Sequence, residues 1–148
     1  MRSALSRSGL VIKYAGCPIA WSSKLQSEIA LSTTEAEHVA LSTSLRDTMS
    51  IMQLLSELGV VMNIPDCKKK MKCTVFEDNN GALELATTPK MRLRTKHVAI
   101  EYHHFREFIA RLLIKILKVD VAEQEADFLT KPLAEALFKY LRKKALGW

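Results

Sequence analysis

The sequence predicts an α/β domain, and three observations carry that prediction. Two short β-branched or aromatic runs, Gly9–Tyr14 and Cys17–Ser22, flank Ala15-Gly16. A long stretch of helical periodicity follows a capping sequence at Ser32, and a strand-like run, Cys73–Asp78, stops at Asn79-Asn80-Gly81. With 148 residues, 5 glycines and 4 prolines, the chain has room for one core and little room for linkers. A single domain over residues 1–148 is expected, with residues 1–5 disordered.

Composition narrows the function classes. A net charge of +6 suits a polyanionic partner without establishing one, because basic globular proteins are common. The cysteines, Cys17, Cys67 and Cys73, lack the short spacings of zinc sites, so reduced thiols in an intracellular compartment are expected. The most apolar segment, Phe108–Val119, is broken by Arg111, Lys115 and Lys118, and no signal peptide opens the chain. A soluble protein with no membrane partner is expected.

Taken in order, Gly9–Tyr14 and Cys17–Ser22 read as an antiparallel hairpin, with Pro18 placing the second run at a sheet edge. Ser32-Thr33-Thr34-Glu35 reads as a capping box that opens a helix closing at Gly59. On that helix Leu41, Leu45, Thr48, Met52 and Leu55 fall within about 40° of one another and mark the buried face. Glu37 lies in the middle of that face, whereas Glu35 points about 120° away and has its cap to make. A carboxylate on an apolar face is costly unless paired, protonated or bound to a cation. Glu37 is therefore either a rim residue reaching water or a metal-binding carboxylate.

Val60–Lys72 is irregular, and its run from Lys68 to Lys72 is either a solvated face or a phosphate-binding one. The strand Cys73–Asp78 ends in an acid, which alternation places on the face of Thr74 and Phe76. Strand ends of this kind carry ligands in α/β sheets, although Asp78 or Asn79 could equally cap the short helix Ala82–Ala86. Pro89 ends that helix and Lys90–Lys96 is strongly basic. Helical periodicity resumes near Val98, with Phe105, Phe108, Ile109 and Leu112 as its stripe. His97, His103 and His104 have no metal-ligand spacing and read as surface or packing residues. Leu113–Val119 alternates as a strand, and Asp120 to Glu123 offers a cap for a helix carrying Asp127 in its first turns. After Thr130-Lys131-Pro132 the helix restarts and runs to about Leu146, with Leu133, Leu137, Tyr140 and Leu141 inward.

Glu37, Asp78 and Asp127 thus lie on a helix face, a strand end and a helix start. They converge only if the strands form a sheet and the helices lie on it. Converged carboxylates call for divalent cations, and hard oxygen ligands favour Mg2+ or Mn2+. A pair of such ions can activate water and stabilise a leaving oxygen in phosphodiester cleavage.

The runs ALSTTEAEHVALS, VFEDNNGALELA, RTKHVAIEYHHFRE and EQEADFLTKPL, with the opening SRSGLVIKYAGCPIAWSSKLQ, carry a resemblance that covers nearly the whole chain from Ser6. Together they resemble the ribonuclease H domain of copia-type retrotransposon polyproteins. The resemblance implies cleavage of the RNA strand of RNA/DNA hybrids, with two Mg2+ (or Mn2+) ions held by four acids. Glu37, Asp78 and Asp127 match the second, third and fourth acids. It also implies a mixed five-stranded sheet flanked by helices, a reverse transcriptase domain of the same polyprotein as partner, and an intracellular location in the cytoplasm, within retroelement particles, and in the nucleus. Arg92, Arg94, Lys96 and His97 are the expected nucleic-acid-binding residues, with the Lys68–Lys72 cluster beside them.

One departure bears on activity. The family's first acid is an aspartate on a strand preceding the hairpin, and this chain starts at about the point where the hairpin starts; the only acid ahead of the helix is Glu28. That strand is the middle one of the family's sheet, so its loss exposes two strand edges. The expectation is an N-terminally truncated domain with weakened or lost nuclease activity. Alternatives are a non-catalytic nucleic-acid-binding or reverse-transcriptase-interacting remnant, or an ordinary α/β domain whose acids are caps and rim residues.

Overall fold

The computed structural model describes residues 5–27, 29, 30, 32–64, 71–87, 109–111 and 113–148. The expectations for Glu28, Lys68 to Lys70, Arg92, Arg94, Lys96, His97, His103, His104 and most of the helix from Val98 lie outside the described residues.

The chain is α/β. A hairpin, β1 (Arg7–Tyr14) and β2 (Cys17–Leu25), pairs antiparallel through a turn in which Ala15 and Gly16 have φ of 50° and 80°. Those two left-handed residues match the twist of the flanking strands, as two-residue hairpin loops require. The hairpin is longer than expected, and Pro18 is accommodated beside a register shift at Ile12/Lys13. Helix α1 (Thr33–Val61) follows, then β3 (Cys73–Glu77), α2 (Asn80–Thr87), β4 (Ile114–Lys118), two 3-10 turns and α3 (Glu135–Leu146).

At the start of α1 the Ser32 hydroxyl accepts from the Glu35 N–H at 3.1 Å. The helix does not stop at Gly59, which is buried within it. Chain reversal falls instead to Asn63, at φ 53°, a residue type that tolerates the left-handed region. Leu41, Leu45, Thr48 and Met52 are buried, and the Thr48 hydroxyl is satisfied by the Ser44 carbonyl at 2.7 Å. Leu55 is only half-buried, and His38, Ser42 and Met49 complete the stripe in its place. Leu41, Leu45, Met49 and Met52 form one cluster with Ile114, against which Val75, Ile116 and Ile109 pack. Each such fully buried aliphatic side chain stabilises by about 1.5–3 kcal/mol.

The described strands form two two-stranded sheets, β1–β2 antiparallel and β3–β4 parallel. Both lie against α1. Between them is a cavity of about 480 Å³, with Leu10–Lys13 of β1 on one side and Cys73–Phe76 of β3 on the other. The Cys73 N–H bonds to Leu113 and the Glu77 carbonyl accepts from Val119, so these residues turn their backbone groups toward β4. By the two-residue period, Thr74 and Phe76 turn theirs toward the cavity. There the Gln124 side chain donates to the Phe76 carbonyl at 3.2 Å.

Two expectations are corrected in the C-terminal third. The segment after Asp120 is not an α-helix but two 3-10 turns, Val121–Glu123 and Glu125–Leu129, and Asp120 makes no side-chain cap. Tertiary bonds hold the chain in this tighter form: Gln124 reaches β3, and the Leu129 carbonyl accepts from the Ser23 hydroxyl at 2.7 Å. Tyr140 is not inward. Its ring is about half exposed and its hydroxyl meets both carboxylate oxygens of Glu123 at 2.9 Å, while Leu141 and Ala145 fill the buried face of α3.

Candidate functional site

Glu37 sits one turn into α1, and that turn is anchored to the hairpin. The buried Gln26 amide donates to the Ser8 hydroxyl at 2.9 Å and to the Ala36 carbonyl at 2.8 Å, fixing the end of β2 against the start of the helix. Glu37 is half-buried and lines an open cavity of about 440 Å³ with Glu77, Asp78, Asp127 and Lys131.

The strand end differs from expectation. β3 stops at Glu77, so Asp78 is no longer bound by alternation. Thr74 and Phe76 face outward, Val75 faces the core, and Glu77 on the Val75 side is buried with 6% exposure. Asp78 turns inward at the strand end, its side chain 9% exposed. Helix α2 is capped by Asn79, whose Oδ1 accepts from the Ala82 N–H at 3.0 Å, leaving the Asp78 carboxylate to the cavity.

Ligand oxygens of Glu37, Glu77 and Asp78 lie within 4.8 Å of one another. Oxygens on opposite sides of a magnesium ion with bonds of about 2.1 Å are about 4 Å apart, so this trio fits a small hard cation after slight closure. Asp127, in the second 3-10 turn, joins through Lys131. The Lys131 ammonium lies 2.9 Å from Asp127 Oδ2 and 3.4 Å from Asp78 Oδ2, on a turn pinned by the Lys131 N–H to the Asp127 carbonyl at 2.9 Å.

The electrostatics follow from four carboxyls and one ammonium in a partly dry site. Burial, followed by the charges of Glu37 and Asp78, pushes Glu77 up to about 7, although the Asn79 N–H that it accepts at 3.0 Å works the other way. Burial also raises Glu37, with Lys131 pulling it back and Asp78 and Asp127 pushing it further. Asp127 is raised by burial against the opposing pull of its Lys131 hydrogen bond. For Lys131, burial works against the ammonium, but the Asp127 hydrogen bond and the charges of Asp127, Asp78 and Glu37 hold it above its ordinary value.

Sequence reasoning missed Glu77 and Lys131. Both left a signal: Glu77 follows Val75 at the strand period, and Lys131 stands four residues after Asp127 in a chain that keeps turning. The described part of the expected basic surface is confined to Met71 and Lys72 at the edge of the lysine run.

Over 140 residues, 95% of its length, the chain is 32% identical to the retrovirus-related Pol polyprotein from transposon RE2 of Arabidopsis thaliana. It matches one segment of a transposon polyprotein. Over 142 residues it is 33% identical to the Pol polyprotein from transposon TNT 1-94 of Nicotiana tabacum, and over 140 residues 33% identical to that from transposon RE1 of Arabidopsis thaliana. The chain spans only 9–10% of the length of these relatives. No family model matches it, and no solved structure matches it significantly. Among the described residues no helix is long and apolar enough to cross a membrane.

Proposed function

We propose that this chain is the ribonuclease H-like segment of a copia-type retrotransposon polyprotein, cleaving the RNA strand of RNA/DNA hybrids with divalent cations. The observation that carries the reading is the convergence of acids from three separate elements. α1 supplies Glu37, the end of β3 supplies Glu77 and Asp78, and the second 3-10 turn supplies Asp127, all on one cavity.

Bound Mg2+ or Mn2+ would activate water and stabilise the leaving oxygen. Glu37 and Asp78 would hold the ion, with Asp127 completing the set. Glu77, close to half-protonated near neutral pH, lets one carboxyl of the group enter the site uncharged and so eases repulsion among them. Arg92, Arg94, Lys96 and His97 would contact the hybrid's phosphates, setting its position rather than its sequence. That role requires a steep fall of hybrid affinity with salt; a flat response removes them.

The cavity between β1 and β3 supports the sheet arrangement that the resemblance implies, because it lies where a strand between the hairpin and β3 would lie. It also favours a second reading, a non-catalytic module that takes up a strand from the reverse transcriptase of the same polyprotein. Cleavage of a labelled RNA/DNA hybrid across Mg2+ and Mn2+ titrations, with Asp78→Asn as control, separates the two. Metal-dependent loss of the RNA strand that vanishes in the variant supports the nuclease. A folded chain that cleaves nothing supports the binding module.

A further inference from the structure

The ammonium of Lys131 occupies the gap between Asp78 and Asp127, whose side chains are 9% and 7% exposed, while the lysine side chain itself is 38% exposed. Its charge also reaches Glu37 and Glu77. It is therefore the one cation shared by all four carboxyls of the cavity among the described residues, and it sits on Asp78, one of the three acids whose oxygens lie within 4.8 Å of one another. A divalent ion and an ammonium a few ångströms apart repel strongly even at the effective dielectric of a protein rim, so the two do not sit side by side on Asp78. The turn that carries Lys131 is fixed by its backbone bond to Asp127, but the partly exposed side chain has four flexible carbons through which its head group can swing away.

We propose that Lys131 is the resident counter-ion of this site: it holds the carboxylates together in the metal-free chain, and an incoming divalent cation expels its ammonium. The inference rests on the cation-binding reading of the site. It makes Lys131 a positioning residue that sets the cation concentration at which the site assembles. Without it, the metal-free site carries uncompensated carboxylates and is less stable. With cation bound, its removal relieves a repulsion.

The test is Mn2+ binding to the 148-residue chain by calorimetry, comparing wild type, Lys131→Met and Lys131→Arg, with thermal melts in chelator and in Mn2+. Lys131→Met is expected to bind Mn2+ roughly tenfold more tightly. It should melt lower in chelator and gain more from Mn2+, while Lys131→Arg stays near wild type. Damage to the fold would weaken binding, so a tighter affinity is not a by-product of structural loss. Equal or weaker binding by a folded Lys131→Met overturns the counter-ion role and leaves the cation site standing. Absence of Mn2+ binding by both wild type and Lys131→Met overturns the cation site itself. A wild-type measurement stands beside these: the acetylation rate of Lys131 should rise on adding Mg2+ while that of the exposed Lys139 does not, and an unchanged Lys131 rate overturns the inference.

Discussion

Replacing Glu77 by Gln should stabilise the metal-free protein at alkaline pH. A carboxyl whose pKa is raised from 4.5 to about 7 holds its proton more tightly in the folded chain than in the unfolded one. Its contribution is fully present below about 4.5, declines as the unfolded chain ionises, and is lost once the pH has risen through about 7. The raised pKa corresponds to about 3 kcal/mol between the two ends of that window. The substituted carboxamide would still accept from the Asn79 N–H, and its NH2 group would donate to the carboxylates of Glu37 or Asp78, so a neutral side chain is kept at every pH. Thermal melts in chelator from pH 4.5 to 8.5 should show wild type losing stability across the window. Glu77→Gln should lose much less and exceed wild type at pH 8.5 by roughly 6–12 °C. Some slope remains in the variant, because Glu37 and Asp127 are raised as well. With saturating Mg2+ the difference at pH 8.5 should shrink, since a cation held by Glu37 and Asp78 offsets the charge that ionised Glu77 adds to the group. A variant whose pH profile in chelator coincides with wild type would refute the reasoning.

Other perturbations probe the scaffold and the site separately. Gly9→Ala would place a methyl 2.5 Å from Thr130 Cγ2 and 3.0 Å from the Ala126 carbonyl, pushing the Asp127 turn off β1; a drop in Mn2+ affinity with a smaller loss of melting temperature is expected. Leu45→Ala removes a fully buried side chain from the α1 cluster and should cost about 2–5 kcal/mol in urea unfolding. Glu37→Gln removes a partly buried charge, so melting temperature in chelator should hold or rise while Mn2+ affinity falls about tenfold or more, as read by calorimetry. A synthetic strand with apolar residues at alternate positions, added to the chain, should raise the melting temperature if the cavity beside β3 takes a strand, and leave it unchanged otherwise.

Local signals carried the elements well. Ser32 and the 3.6-residue stripe announced α1 because cap chemistry and burial of one face act within a few turns of the helix itself. The hairpin was legible because its turn residues are adjacent. What the sequence concealed depends on contacts distant along the chain. The tight turns around Asp127 exist because Gln124 reaches β3 and Ser23 reaches Leu129. Asp78 turned inward because β3 ended one residue sooner than its pattern and freed Asp78 from the alternation that already put Glu77 on the buried Val75 side. The acid on the helix face was identifiable by its cost, whereas Glu77 followed two residues of strand alternation that could be read from either side.

The backbone edges beside the cavity have a consequence for colloidal behaviour. Thr74 and Phe76 of β3 turn their amides inward, across a confined space from β1 and under the Gln124 side chain, and not toward bulk solvent. A neighbouring molecule can template on them only by threading an extended segment between two packed sheets, which is far slower than edge-to-edge collision. On the outer side of the same sheet, β4 carries Lys115 and Lys118, charges that discourage strand pairing. Among the described residues, the chain thereby turns this unpaired strand edge toward its interior and meets its neighbours with lysine.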